Sequence, residues 1–139
     1  MNIKISHKDI DPTSGVVIAC TASPVKYQVP TIQLDFYHTN EGQPGFIEDR
    51  HMRALWLHLP MLEESSTIYV VCDLGWHRSP AVAIFLCELF GVKNKIRETY
   101  KFLNWDVYFW LKHHWPSNSF DAWSYDFRTE DADFVEAQQ

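Results

Sequence analysis

The chain predicts an α/β domain, a central and mainly parallel sheet with helices on both faces, and three observations carry that prediction. Val16-Val17-Ile18-Ala19-Cys20 and Thr67-Ile68-Tyr69-Val70-Val71 are short apolar runs bounded by turn residues, the pattern of buried strands. Pro80 to Phe90 is apolar on nearly every side, as a helix pressed against a sheet must be. The order of elements is strands first, then helix, strand and helix, and no internal repeat interrupts it.

In chain order, Asn2 to Ser6 reads as a strand, followed by the turn-rich Asp11-Pro12-Thr13-Ser14-Gly15 and a second strand from Val16 to Cys20. Pro30 precedes a third strand, Thr31 to Phe36. Thr39-Asn40-Glu41-Gly42-Gln43-Pro44-Gly45 is a loop, and Phe46 to Leu59 a helix that stops before Pro60. The strand Thr67 to Val71 leads to the helix Pro80 to Phe90, with Gly91 as its stop. A last helical region, Lys95 to His114, spaces Ile96, Tyr100, Leu103, Val107, Phe109, Trp110 and Leu111 for packing.

With 139 residues, 46% of them hydrophobic, the chain has enough apolar surface for one core and no need of a second domain. Residues 1–116 therefore read as one domain, and residues 117–139 as an acidic tail, docked or mobile. Of the net charge of −6, −5 sits in that tail, where six acidic residues face one basic residue, while the body carries twelve acidic and eleven basic. A near-balanced body without Lys or Arg clusters disfavours nucleic acid and acidic membrane lipids as partners. No apolar stretch is long enough to span a bilayer and none resembles a leader, so a cytoplasmic protein is expected. Three cysteines without regular spacing fit a reducing compartment better than a disulfide framework; Cys20 and Cys87 read as core residues. A regulatory disulfide from Cys72 to either is the alternative. Oligomeric state is left open.

The chemistry concentrates in Cys72-Asp73-Leu74-Gly75-Trp76-His77-Arg78-Ser79, between a strand and a helix. A thiol ionises weakly at neutral pH, but a helix amino end, a row of inward amides and a guanidinium all favour thiolate, which makes Cys72 a nucleophile. Gly75 permits left-handed backbone angles, so that the amides from Asp73 through Leu74, Gly75, Trp76 and His77 to Arg78 converge on one phosphoryl group. Arg78 adds a planar fork for two phosphate oxygens. Ser79 offers a hydroxyl to the sulfur, easing its departure as thiolate, and Pro80 fits a first helical turn. A buried structural cysteine beside a helix cap is the plainer reading, but Arg and His in a turn flanked by core need a polar partner.

This octapeptide resembles the signature loop of the cysteine-based protein tyrosine phosphatase superfamily: Cys, five residues, Arg, then Ser or Thr. It is most similar to the small dual-specificity phosphatases, whose loop also keeps the Gly three after Cys. Val71 departs from the family's usual His, and Trp76 and His77 are bulkier than the family's residues there. Low-molecular-weight phosphatases share the Cys-x5-Arg-Ser-Pro pattern and keep an acid Asp near the carboxyl end, where Asp121 and Asp126 stand here. Their loop follows the first strand, whereas this one follows several strands and a helix, which favours the dual-specificity arrangement. The resemblance implies a phosphoric monoester hydrolase acting through cysteinyl-phosphate on a phosphorylated protein or small phosphomonoester, with no metal and no cofactor.

The resemblance further implies a general acid for the leaving oxygen, an Asp on a loop around residues 35–45. Asp35 is the Asp of that stretch, although strand alternation with Leu34 and Phe36 aims it away from them; His38 and Glu41 are alternatives. Asp49 reads as a first-turn helix carboxylate. Asp73 is expected to turn its side chain from the phosphate and bond to neighbouring backbone. His113-His114 lack metal-site spacing and read as surface or packing residues. The competing class is a phosphate-binding module with little turnover, and arsenate reduction would require Cys20 or Cys87 to reach Cys72.

Overall fold

A computed structural model describes residues 1–116; the acidic tail, with Asp121 and Asp126, lies outside the described residues. Four strands, β1 (Asn2–His7), β2 (Val16–Cys20), β3 (Thr31–Gln33) and β4 (Thr67–Cys72), form one sheet. Their order is β1-β4-β2-β3 and every pairing is parallel. The α/β reading with a parallel sheet and flanking helices therefore holds. Each residue of β2 is buried, which is why its apolar run shows no alternation.

The helices are α1 (Asp49–Leu57), α2 (Leu59–Glu64), α3 (Arg78–Phe90), α4 (Ile96–Thr99) and α5 (Trp105–His114). Their buried side chains join Ile3, Ile18, Ile32, Ile68 and Val70 in one core on one face of the sheet. The opposite face carries a smaller cluster, Val17, Ala19, Val29 and Val71, covered by Ile10, Val25 and Tyr27 from connecting segments. Helices on both faces, as expected from the sequence, are thus corrected. The connections over residues 8–15 and 21–30 are short and punctuated by Pro12, Gly15 and Pro24, so loops rather than helices cross that face.

Element boundaries also move: α1 starts at Asp49 rather than Phe46, and three further changes have a visible cause. β3 ends at Gln33 instead of Phe36, because the Phe36 amide bonds the Leu34 carbonyl at 3.0 Å and folds the chain into a tight turn. The expected helix to Leu59 divides at His58: Pro60 has no N–H for the carbonyl of Trp56, and instead occupies the first turn of α2. The long region to His114 divides too, since the Asn104 side chain accepts the Val107 amide at 3.3 Å and starts α5 afresh.

α3 is buried from Arg78 to Leu89 and lies between the sheet and α5. Gly91 ends it in the left-handed region at φ 69°, with the Val92 amide returning to the Cys87 carbonyl at 2.7 Å. Across to α5, the buried Glu88 accepts the Tyr108 hydroxyl at 2.7 Å and pairs with Lys112 at 3.1 Å. Phe85 packs edge-on to Trp115, ring centroids 5.0 Å apart. Among the described residues no helix is long and apolar enough to cross a membrane.

Candidate active site

Cys72 is the last residue of β4, an interior strand, and its register partners are His7 on β1 and Cys20 on β2. Ligands of open parallel sheets bind at this carboxyl end of the strands. The chain then turns through residues 73–77 and enters α3 at Arg78, two residues earlier than the predicted helix start. Cys72 and Arg78 are thereby attached to an interior strand and to a buried helix.

Gly75 makes the turn with φ 77°, and a Cβ there would lie 2.8 Å from the His7 nitrogen and the Ser6 carbonyl carbon. The loop is therefore pressed onto the end of β1. Its amides turn inward: Gly75 N–H donates to Cys72 Sγ at 3.1 Å, and the Ser79 hydroxyl lies 3.2 Å from the same sulfur. Burial pushes the Cys72 thiol up, but the Ser79 hydroxyl and the amides of Ser79, His77 and Gly75 outweigh it and bring the thiol below its ordinary value. The side chains of Leu74 and Trp76 stay exposed. Trp76 borders a groove of about 190 Å³ with Thr99, Tyr100, Lys101 and Phe102, outside the cradle.

Arg78 is buried and held at both ends of its fork. Nη1 donates to the Phe36 carbonyl at 2.8 Å and Nη2 to Asp73 Oδ2 at 2.8 Å. Lys8 completes the set by pairing with Asp73 Oδ1 at 3.1 Å. This corrects the expected role of Asp73: its carboxylate turns to Arg78 and Lys8 rather than to neighbouring backbone. The bond from Arg78, against some burial and with help from Lys8, holds the Asp73 carboxyl below the usual carboxylate range.

Asp35 lies in the tight turn after β3, and its Oδ1 accepts from Arg50 at 2.8 Å and from His51 Nε2 at 2.9 Å. Its carboxyl is held low, first by the His51 bond, with burial opposing and Arg50 assisting. That direction opposes the proton-donating role expected of it. Asp49, as expected, sits in the first turn of α1, paired with Arg53 at 2.9 Å. Glu41 is exposed and its amide bonds Asp106 Oδ2 at 3.0 Å. His114 stacks on Trp110, ring centroids 4.3 Å apart, a packing role.

His38 is the alternative that the fold carries to the loop. Its ring stacks on that of His77, centroids 4.2 Å apart and planes within 8°. Asn104 Nδ2 donates to His38 Nδ1 at 3.2 Å and to the Thr39 carbonyl at 2.8 Å, while the Asn104 amide bonds the His77 carbonyl at 2.9 Å. His77 Nδ1 donates to the Phe102 carbonyl at 2.8 Å. The start of α5 thus ties residues 38–39 to residue 77. Burial first, then the charges of His77 and Arg78, hold the His38 imidazole below the usual histidine value. Sequence reasoning missed Lys8 and Asn104; Asn104 is legible as a helix cap, but its second role depends on a neighbour far away in the chain.

Cys20, read as a core residue, is buried beside Cys72 on the same face of the sheet. Cys87 is buried in α3. No family model, no curated protein and no solved structure matches this chain. The functional reading rests on the residues of the loop and their geometry.

Proposed function

We propose that this chain is a cytoplasmic phosphoric monoester hydrolase, a protein tyrosine or dual-specificity type of phosphatase that works through cysteinyl-phosphate. The observation that carries the reading is the sulfur of Cys72, buried at the end of an interior parallel strand with the Gly75 amide and Ser79 hydroxyl directed at it. In this mechanism the thiolate attacks phosphorus in line and forms the S–P bond as the ester P–O bond breaks. Inward amides and Arg78 stabilise the charge of the transferring group, where loss of one such donor costs about 10²-fold in rate. Water then attacks phosphorus, the S–P bond breaks, and Ser79 stabilises the departing thiolate. The substrate is a phosphorylated protein or a small phosphomonoester.

A second reading, a phosphate-binding module with little turnover, is favoured by one observation: Asp35 is engaged by Arg50 and His51 and its carboxyl is held low. Hydrolysis of para-nitrophenyl phosphate with a chelator present separates the two. Turnover that survives chelation and disappears in Cys72→Ser supports the hydrolase. Phosphate binding without turnover at any pH from about 5 to 8, the range around the ordinary histidine pKa, supports the module.

A further inference from the structure

Three segments meet at the loop: residues 72–79 themselves, residues 36–41, and residues 102–106 at the start of α5. Phe36 is bonded to Arg78, His38 is stacked on His77, and Glu41 is bonded to Asp106. The titratable and charged groups acting on His38 are His77 and Arg78. Asn104 decides the state of the ring. Its Oδ1 is committed to the Val107 amide as the cap of α5, so its NH2 group faces the Thr39 carbonyl and His38 Nδ1. A nitrogen that accepts a hydrogen bond carries no proton, and the neutral ring therefore holds its hydrogen on Nε2. Protonating Nδ1 would set that N–H against the amide hydrogens of Asn104 and a second cation beside Arg78.

We propose that His38 meets the departing oxygen as a neutral Nε2–H donor, its tautomer held by Asn104, so that this site favours phosphate esters whose alcohol leaves readily as an anion. The inference rests on the reading of Cys72 as a phosphate-attacking thiolate. The S–P bond forms, the P–O bond breaks, and the electron pair stays on the departing oxygen. The Nε2–H hydrogen bond stabilises that anion, which afterwards takes its proton from water. A neutral imidazole is a weak acid, so it lowers the barrier by hydrogen bonding rather than by proton transfer, as the neutral histidine of triosephosphate isomerase does. Esters of phenols, whose pKa is about 10 for tyrosine, are then cleaved well ahead of alkyl esters.

The test compares wild type, His38→Gln, His38→Ala, Asn104→Asp and Cys72→Ser on aryl phosphates of rising phenol pKa and one alkyl phosphate, with nitrogen NMR of the His38 ring. The expected wild-type rate falls steeply as the leaving group becomes more basic. His38→Ala loses about 10²-fold. His38→Gln, whose side-chain amide is also a neutral donor, stays within about tenfold of wild type with the same slope, which a proton-transferring role would not allow. Asn104→Asp keeps an acceptor for the Val107 amide but sets a carboxylate in place of the donor facing His38, so the ring becomes cationic, a stronger Nε2–H acid, and the slope flattens. If His38→Ala matches wild type, if His38→Gln is as impaired as His38→Ala, or if the wild-type ring carries its proton on Nδ1, the inference is overturned while the hydrolase reading stands. Absence of any turnover that depends on Cys72 overturns both.

Discussion

Cys20 and Cys72 are register partners at the carboxyl ends of neighbouring parallel strands, both buried on the helix-bearing face. Adjacent strands lie about 4.8 Å apart, inside the Cα separation of roughly 4.4–6.8 Å that a disulfide spans. Burial first, and then the neighbouring Cys72, push the Cys20 thiol well above its ordinary value, with Arg78 opposing, so Cys20 is a protonated thiol beside an activated one. Peroxide treatment is expected to oxidise Cys72 to the sulfenic acid, which condenses with Cys20 to a disulfide and water. Peptide mapping should find the Cys20–Cys72 link, and Cys20→Ser should instead drive Cys72 on to the sulfinic acid. Equal rates of sulfinic acid formation in the two proteins would refute the pairing.

Thiol reactivity follows from the same geometry. Cys72 is lowered by hydrogen bonds, whereas Cys87 is raised by burial and by Glu88. Iodoacetamide at neutral pH is expected to label Cys72 first. Ser79→Ala removes a hydrogen bond to the thiolate and should slow labelling about tenfold, moving the rate profile to higher pH. An unchanged profile would mean that the amides alone set the thiol.

Stability should fall on acidification in two stages. His51 is depressed mainly by burial, against the raising effect of Asp35, and His38 is depressed mainly by burial with the charges of His77 and Arg78. For both, the unfolded chain takes up protons first, so stability declines as pH drops below about 6.5. Asp35 and Asp73 are depressed carboxyls, whose contribution is full above about 3.9 and disappears as pH falls through their folded values. Because Asp35 is 41% exposed, Asp35→Asn should cost no more than about 1 kcal/mol at pH 7. Urea midpoints measured from pH 7 down to about 3 would show the difference between the proteins shrinking only in the second stage.

Gly75→Ala should disturb the loop from the backbone outward. Left-handed angles cost a residue with a Cβ about 1–2 kcal/mol, and this one would also press on His7 and Ser6 at 2.8 Å. The expected result is a destabilisation of roughly 1–3 kcal/mol together with loss of the Cys72 reactivity described above. A destabilised protein that keeps rapid alkylation would show that Gly75 serves folding and not the cradle.

Much of this protein is legible in its amino-acid order because the signals are local. The apolar run Val16 to Cys20 is β2 without adjustment, and Pro80 to Phe90 lies within α3. Gly75 and Gly91 stand where positive φ is required, and Cys72, Arg78 and Ser79 share one loop whose spacing depends on a few bonds of chain. What the tertiary structure decided involves residues far apart in the chain. Which sheet face the helices cover depends on how short connections cross it, and the division of the long helical region depends on Asn104. Asp35 is taken up by Arg50 and His51 of α1, and His38 is brought to His77 by Asn104. Lys8 meets Asp73 only because β1 and β4 are parallel neighbours, and Cys20 meets Cys72 because β2 lies on the other side of β4. Such pairings carry no periodic or local signature. They are set by strand order and by where each loop must run, and so appear only once the whole chain is packed.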